Sequence, residues 1–184
     1  MKVVTTTLVA ALSVAVPAAG GPTASARMID TAGRAAGQAN LKAAPHGVLI
    51  EIAVTGLVPG PHAVLLHAKG ACDPATAFAS AGPVFDFELP RAHGYFARGG
   101  PKPGDLPVQF AGPDGTLHAA IYTTAFALGD GKRSIFDADG ASIIVHAASD
   151  DYLTQPDGRA GARLICGTIL RAPATTKHKE RHRL

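Results

Sequence analysis

The sequence predicts an all-β domain, either a sandwich or a barrel, on three observations. Short apolar runs rich in Val, Ile and Ala recur along the chain and are separated by turn-forming residues. The 21 glycines and 14 prolines among 184 residues, with only 5% aromatic residues, favour short elements joined by tight turns over long helices. The 47% of apolar residues is enough to build the core of one domain of this length.

Residues 1–26 have the pattern of an export signal. Lys2 precedes an apolar run, and Ala24 and Ala26 form an A-x-A pattern, so we predict cleavage after Ala26. Residues 27–45 are rich in Ala and Gly and weakly patterned, which predicts a flexible lead-in. No other stretch approaches the ~18 apolar residues that span a bilayer, so the sequence predicts an exported protein with no membrane span.

The ordered domain is expected to cover residues 46–172, starting at His46. GVLIEIAV and HAVLLHA are two apolar strand runs, and the Pro-Gly-Pro turn at residues 59–61 predicts a hairpin-like connection between them. LHAAIYTTAFAL, ASIIVHAA and ARLICGTIL predict further strands. Residues 68–115 and 147–160 are rich in Gly, Pro and charge, and loops this long in a compact domain are usually functional or fixed by a disulfide.

The two cysteines of the chain, Cys72 and Cys166, both lie in the predicted mature region. In an exported protein, two cysteines favour a single intramolecular disulfide. The alternative is a pair of metal thiolates, but neither cysteine has a C-x-x-C or C-x-x-H partner nearby.

The formal net charge of +3 is concentrated near the C-terminus. Residues 177–184, KHKERHRL, contain four Lys/Arg and one Glu, whereas residues 27–176 contain twelve Lys/Arg and thirteen Asp/Glu. We predict a basic disordered tail over residues 173–184, with contact to an anionic surface as the alternative. His178 and His182 would bind metal only weakly there. The nearly neutral domain gives no indication of nucleic-acid binding.

Five sequence blocks, in matching order, resemble the Cu/Zn superoxide dismutase family from about His46 to Leu170. PGPHAVLLHAKGAC is similar to the family's G-x-H-G-F-H-x-H-x-x-G-x-C, SAGPVFD to its A-G-x-H-F-N, and GDLP to the end of its zinc loop. IIVHAASDDY and GARLICGTI resemble V-x-H-x-x-x-D-D and G-x-R-x-A-C-G-x-I. The resemblance implies an eight-stranded Greek-key β-barrel, a flattened sandwich with two long loops and one disulfide, and superoxide as the substrate if the chain is active.

The same resemblance implies an incomplete copper site. The family holds copper with four histidines, one of which bridges to zinc. Matched position by position, two of them fall on His67 and His146, whereas the first falls on Leu65 and the bridging one on Val84. Leucine and valine offer a metal no lone pair, so a copper ion that must bind tightly in two oxidation states would lose half of its ligands.

The zinc site implied by the resemblance is also incomplete. Its three non-bridging ligands fall on His93, Lys102 and Asp105, and the bridging position is again Val84. Two of four ligands therefore remain. Because the Lys102 ammonium is a compact cation, we predict that it forms an ion pair with Asp105 and keeps the loop folded without metal.

Other matched residues have roles outside the ligand set. Arg163 matches the family's anion-guiding arginine, with a structural donor to loop carbonyls as the alternative. His62 matches a histidine that ties loops by hydrogen bonds. Asp150 matches the aspartate that links the two metal-site histidines, and with fewer ligands to orient we expect it to organise the loop. His46 and His118 have no counterpart and are expected at the surface or at a strand edge.

Two classes of function remain open. We favour an exported, catalytically inactive or strongly impaired relative that acts as a binding or structural module, with no metal or weakly bound copper and with no zinc expected. The alternative is a dismutase with residual, copper-dependent activity, or a low-affinity copper-binding protein that uses the remaining histidines, such as His67 and His146, and the histidine-containing tail. The sequence does not identify a protein partner.

Overall fold

The computed structural model describes residues 21, 23–87 and 90–172, which form an almost entirely β structure. The strands are β1 (Thr23–Asp30), β2 (Ala35–Ala44), β3 (Gly47–Val54), β4 (Gly60–His62), β5 (Val64–His67), β6 (Gln109–Ala111), β7 (Leu117–Thr123), β8 (Ser142–His146), β9 (Arg163–Thr168) and β10 (Leu170–Arg171). Two short 3-10 helices, Pro74–Thr76 and Ala79–Ala81, lie in the long loop after β5. The described part of the chain contains no helix long and apolar enough to cross a membrane. The all-β prediction is confirmed.

Seven strands form one curved antiparallel sheet in the order β5-β8-β9-β1-β2-β3-β7, and β10 pairs with β1. β4 and β6 form a separate two-stranded sheet. Only Ala63 separates β4 from β5, and a turn in which the Gly112 N–H donates to the Thr116 carbonyl (2.7 Å) joins β6 to β7. The β4–β6 pair therefore links the two ends of the large sheet. Counted with β4 and β5 as one strand and β9 and β10 as one strand, the barrel has the eight strands that were predicted.

The predicted hairpin at residues 59–61 is wrong. β3 pairs with β2 and β7, and β4 pairs with β6, so the chain crosses the barrel end between β3 and β4. Such a crossing is a feature of Greek-key connections. The proline and glycine residues predicted a change of chain direction correctly, but turn residues do not specify which strand becomes the neighbour.

The predicted flexible lead-in over residues 27–45 is also wrong, because β1 and β2 occupy most of it and pair along their length. Their inward residues are mostly small, which is why the hydrophobic pattern is weak. Ala24, Ala26 and Met28 nevertheless alternate in burial with exposed neighbours, as does Leu41 in β2. The ordered domain therefore begins at β1, not at the β2–β3 turn.

The predicted cleavage point after Ala26 lies inside β1. Residues 1–20 and 22 of the predicted signal, and the predicted tail at residues 173–184, lie outside the described residues. Cleavage at that point would remove the half of β1 that pairs with both β2 and β10.

A chain that begins at Arg27 should be less stable than one that begins at Gly21. It loses the buried methyl groups of Ala24 and Ala26, which together contribute about 1.5 kcal/mol, and the strand pairing around them. Urea unfolding of the two chains measures the difference. Equal free energies of unfolding would show that the first half of β1 does not stabilise the barrel.

The predicted disulfide between Cys72 and Cys166 is confirmed, with 5.7 Å between the two Cα atoms. It joins the long loop after β5 to strand β9. Phe78 and Ala81 of that loop pack in a buried cluster with Ile144 beside the disulfide. The loop is therefore held to the barrel by a covalent bond and by apolar contacts.

Replacing both cysteines, Cys72→Ser with Cys166→Ser, should lower the free energy of unfolding by about 4 to 5 kcal/mol. The reason is that the bond joins residues separated by 94 positions, and closing a loop of that length removes much entropy from the unfolded chain. Urea unfolding of the parent and of the double variant checks the value. A loss below about 1 kcal/mol would mean that loop closure stabilises the fold far less than chain entropy predicts.

Candidate functional site

The site lies on the outer face of β5. Successive residues of a strand face opposite sides. Val64 and Leu66 belong to the main barrel core, whereas Ala63 and Leu65 belong to a separate buried cluster on the other side of the strand. His67 follows Leu65 on that outer face and is also buried.

Loop residues cover the outer face of β5. Val84 pairs with His67, and Asp105 pairs with Leu65, through isolated β-bridges. Beneath them is an apolar cluster in which Leu65 is 0% exposed and Val84 is 4% exposed. The members of this apolar cluster are Ala63, Leu65, Val84 and Ala160. Two of the positions that the resemblance assigns to copper ligands are therefore occupied by packed hydrocarbon.

The structure brings His67 and His146 together. Their Nε2 atoms are 3.2 Å apart, their ring centroids are 5.5 Å apart, and their ring planes differ by 23°. When two ring nitrogens are 3.2 Å apart, the ring centroids are farthest apart, at about 5.5 Å, if both rings point directly at each other. The two rings therefore meet head-on, and the outward directions of the two Nε2 atoms lie nearly on one line.

The other nitrogen of each ring faces a backbone carbonyl. The Nδ1 of His67 lies 2.9 Å from the Gly82 oxygen, and the Nδ1 of His146 lies 3.2 Å from the Gly161 oxygen. Because a carbonyl oxygen only accepts, each Nδ1 donates its proton there. In neutral rings with this tautomer, both Nε2 atoms are acceptors that face each other.

Both histidines are neutral at pH 7. Burial lowers the pKa of His67 to about 3, and the positive charges of Arg163 and Lys102 add to the effect. Burial also lowers the pKa of His146. Two neutral rings carry two protons, but three contacts need one each: the two carbonyls and the Nε2–Nε2 contact. One more positive ion would therefore be needed to satisfy all three contacts.

His93 is held between two buried carboxylates. Its Nδ1 donates to Oδ1 of Asp105 (2.7 Å) and its Nε2 to Oδ1 of Asp150 (3.0 Å), and all three side chains are 0% exposed. Burial by itself lowers the pKa of His93, but the hydrogen bonds to Asp105 and Asp150 outweigh burial and raise the pKa to about 9. His93 is therefore an imidazolium with a proton on each ring nitrogen.

Backbone groups complete this arrangement. The N–H groups of Gly94 and Lys102 donate to Oδ2 of Asp105 at 2.7 and 2.9 Å. The Gln155 amide fixes the backbone of His93, accepting from its N–H and donating to its carbonyl, both at 2.8 Å. The sequence analysis missed Gln155 because no pattern marks a glutamine that binds a distant backbone.

Asp150 has one satisfied oxygen and one unsatisfied oxygen. Its Oδ1 accepts from His93 and from the N–H of Tyr152 (2.7 Å). Its Oδ2 is buried and has no hydrogen-bond partner among the described residues. A buried carboxylate oxygen without a donor is destabilising, so this atom marks a place where a donor would be favourable.

The predicted ion pair between Lys102 and Asp105 is wrong. Among the described residues, the side chain that forms an ion pair with Asp105 within 4.0 Å is that of His93. The other carboxylate oxygen of Asp105 is taken by backbone N–H groups, which leaves the Lys102 ammonium no favourable position there. The charge of Lys102 acts on His67 instead.

Arg163 is tied to the loop after β5. Its two terminal nitrogens donate to the carbonyls of Phe78 (2.7 Å) and Gly82 (2.8 Å). The Gly82 carbonyl also accepts from His67, so one backbone oxygen connects the arginine to the histidine pair. The sequence analysis missed this role of Gly82 because a backbone carbonyl leaves no signal in the sequence.

The remaining histidines of the described residues lie outside this centre. The ring nitrogens of His62 lie 2.6 Å from the carbonyl of His146 and 2.8 Å from that of Val58, so the ring connects the segment just before β4 to the end of β8. His46 and His118 are exposed, in the β2–β3 turn and on β7.

A family model described as copper/zinc superoxide dismutase (SODC) matches residues 35–169, which is well over half of the chain. The chain belongs to the copper/zinc superoxide dismutase family.

Individual relatives of this superoxide dismutase family support the match. The chain is 43% identical over 139 residues to superoxide dismutase (Cu-Zn) from Caulobacter vibrioides, covering 74% of this chain and 79% of that protein. It is 35% identical over 147 residues to superoxide dismutase-like protein YojM from Bacillus subtilis, covering 78% and 74%. The crystal structure of a SOD-like protein from Bacillus subtilis superposes with a TM-score of 0.74 at 34% identity, covering 79% of this chain and 97% of that one.

The residues present do not fit a copper ion held by four histidines, which is the site that the resemblance to superoxide dismutases implies. Two of the assigned positions, Leu65 and Val84, contribute to the apolar cluster and carry no donor atom. In the described ranges, no group of three or more His, Cys, Asp or Glu side chains is placed to hold a metal ion. A copper(II) ion prefers tetragonal coordination by several nitrogen or oxygen donors, which His67 and His146 alone do not supply.

The residues at the zinc position of superoxide dismutases do not fit zinc either. Nδ1 of His93 and Oδ1 of Asp105 are 2.7 Å apart and share a proton directly. Two ligands of a tetrahedral zinc ion, each about 2.0 Å from the metal, lie about 3.3 Å apart. A proton on His93 therefore occupies the place at which these two groups would meet a metal.

The variant His93→Leu should lose about 3 to 5 kcal/mol of stability at pH 7. Removing the imidazolium leaves Asp105 and Asp150 buried without their counterion, which is the costly way to break a buried ion pair. Urea unfolding measures the loss. The matched control is His118→Leu, an exposed histidine on β7, which should change stability by less than about 0.5 kcal/mol.

The stability of the parent should also fall at high pH because of His93. Its folded-state pKa of about 9 lies above the unfolded value of 6.5, so its contribution is fully present below pH 6.5 and is lost as pH rises through 9. Urea unfolding between pH 6 and 10, run on the parent and on His93→Leu, isolates this term. An equal decline in both proteins would contradict the assignment.

Proposed function

We propose that this chain is a non-catalytic member of the superoxide dismutase family, which keeps the barrel and the disulfide but does not dismutate superoxide. The observation that carries the proposal is the apolar cluster. Leu65 and Val84 pack there with Ala63 and Ala160, at positions that the resemblance assigns to copper ligands. The chain then acts as a binding or structural module.

Dismutation requires an ion that is reduced by one superoxide and oxidised by the next. Such an ion needs enough imidazole donors to remain bound in both oxidation states. His67 and His146 offer two nitrogens, and the surrounding side chains of Leu65 and Val84 offer none. Tight binding of copper(II) is therefore not expected.

The unsatisfied Oδ2 of Asp150 supports this interpretation. The resemblance gives this aspartate the role of linking two metal-site histidines. One of them is His93, which Asp150 does contact. Among the described residues no second histidine contacts Asp150, and the unpaired oxygen is what the loss of such a donor would leave.

The His93 imidazolium supports the proposal on the zinc side. Here the proton on His93 joins Asp105 to Asp150, and Gln155 clamps the same segment, so the loop is organised by charge and hydrogen bonds. The fold is then expected to form without zinc.

We also propose export, with a cleavage point before β1. The apolar N-terminal run indicates a secretion signal. A mature chain that keeps Thr23 retains the whole of β1 and its pairing with β10. Small residues at Ala18 and Ala19 offer an earlier cut, and N-terminal sequencing of the exported protein identifies the one used.

The purified chain, incubated with Cu(II) and Zn(II) and dialysed, should retain far less than one equivalent of either metal and should show no dismutase activity above the buffer rate. Elemental mass spectrometry and a superoxide-consumption assay measure the two quantities. Near-stoichiometric copper together with dismutation would contradict the proposal and establish the alternative, a dismutase with an unexpected ligand set.

The triple variant Leu65→His, Val84→His and Lys102→His should bind copper and zinc. It places an imidazole donor at each of the three positions that the resemblance assigns to metal ligands but that carry none here. The matched control carries three histidines at separate exposed positions, Thr31→His, Lys132→His and Leu170→His. Metal uptake equal to that of the control would show that the loops themselves no longer fit a metal.

A further inference from the structure

A cleft lies between two loops of the barrel. Asp86, Phe87 and Arg91 line it from the loop after β5, and residues from Asp130 to Asp137 line it from the loop between β7 and β8. Its volume is about 640 Å³, within the range of roughly 300 to 1,000 Å³ that is typical of pockets for small molecules. None of the lining residues takes part in the centre of histidines and carboxylates described above. The cleft is therefore a separate candidate site.

Two aromatic rings line the cleft and are fixed by the barrel core. Phe87 and Phe136 are partly buried and pack against that core. The ring of Phe87 meets that of the buried Phe85 edge-on, with 5.3 Å between the ring centroids. The guanidinium carbon of Arg171 lies 4.6 Å from the centroid of the Phe136 ring and holds that ring from one face. Two fixed rings offer a flat apolar ligand surface to bury and ring–ring contacts to make.

The three carboxylates that line the cleft are already occupied. Asp86 accepts from the backbone N–H of Arg91 at 2.6 Å and lies 3.6 Å from its guanidinium. Asp130 pairs with Arg171 at 3.0 Å. Asp137 accepts two backbone N–H groups of its own turn, at 2.9 and 3.1 Å. Each carboxylate therefore has a donor from the protein, with which a cationic ligand would have to compete.

The cleft also presents two cations that are available to a ligand. Lys132 and Arg133 are exposed, and neither forms an ion pair within 4.0 Å with an acidic side chain that the structure describes. The backbone there is fixed, because the Arg133 carbonyl accepts from the N–H of Ala127 at 2.7 Å. An ammonium and a guanidinium together attract an anion, and the fork of the guanidinium matches a carboxylate. The charge that the cleft offers a ligand is therefore positive.

Aromatic rings beside available cations suit a flat apolar ligand with one negative charge. We propose that the cleft binds a small aromatic carboxylate, with its rings against Phe87 and Phe136 and its carboxylate at Lys132 and Arg133. A basic peptide would be repelled by the two cations, and a highly charged polyanion would leave the two rings unused. The inference goes beyond the proposed function, because it gives the binding module a class of ligand and does not depend on the state of the copper positions.

The test uses 2-naphthoate, which carries two fused rings and one carboxylate, and the uncharged 2-naphthamide as its matched probe. Each is titrated into the ¹⁵N-labelled full chain while ¹H–¹⁵N NMR spectra are recorded. We expect 2-naphthoate to shift the backbone amide signals of Phe87, Ser134 and Phe136, with a dissociation constant of about 1 mM or below, which is ordinary for a ligand of this size. 2-Naphthamide should bind about three- to tenfold more weakly, and added salt should weaken only the binding of 2-naphthoate.

Variants separate the charge contact from the ring contact. Lys132→Gln with Arg133→Gln should weaken 2-naphthoate binding by about three- to tenfold and leave 2-naphthamide binding unchanged. Both residues are exposed, so this variant should fold like the parent. The matched control, Arg27→Gln with Lys42→Gln, removes the same two kinds of charge from exposed positions on β1 and β2 and should change neither affinity. Phe136→Leu should weaken the binding of both probes, because it removes one of the two rings.

The outcomes separate this inference from the proposed function. Naphthoate shifts that avoid the cleft, or no shifts at millimolar probe, overturn the site. Equal affinities for the two probes overturn it as well, as does an equal loss of affinity in the control variant, because the attraction then comes from net charge alone. Dismutation of superoxide by a chain that retains copper(II) overturns the proposed function instead and leaves the cleft standing.

Discussion

Two carboxylates buried beside the barrel require a positive charge, and the protonated ring of His93 supplies it. Asp105 comes from the loop after β5, and Asp150 comes from the loop after β8, so one imidazolium holds two loops together. Gln155 fixes the backbone of His93 from the second loop. The cover over the outer face of β5 depends on this arrangement. Charge balance of this kind allows the loop to keep its shape through hydrogen bonds to a protonated histidine.

The apolar residues at positions that the resemblance assigns to copper ligands follow one physical rule. A buried polar side chain without its metal would need a new hydrogen-bond partner, whereas a buried apolar one needs only neighbours to pack against. Leu65 and Val84 are apolar, and the small residues Ala63 and Ala160 leave space for them. Lys102 differs from them in being only partly buried, so its ammonium can remain solvated. Asp150 does not follow this rule, because one of its oxygens is buried without a donor among the described residues.

The sequence predicted the barrel, the disulfide and the identity of the residues at the centre, because motifs in matching order fix the register of strands and loops. It failed at β1 and β2, because inward residues such as Ala24 and Ala26 are too small to give a clear hydrophobic pattern. These two strands form because they pair with each other and with neighbouring strands of the sheet. It failed at Lys102 because opposite charges three residues apart suggest attraction, whereas backbone N–H groups had already satisfied that side of Asp105. The interactions of His67 with a backbone carbonyl could not be inferred from any residue type.

The survival of His67 and His146 does not by itself indicate a metal. Each ring donates its Nδ1 proton to a backbone carbonyl, of Gly82 or Gly161, and an apolar side chain there would remove that hydrogen bond. This structural role accounts for histidine at both positions without reference to a metal. It does not explain why the two Nε2 atoms face each other at 3.2 Å, an arrangement that two neutral rings would avoid if nothing lay between them. The Nδ1 side of each ring therefore stabilises the fold, and the Nε2 side is where a function for this pair has to be found.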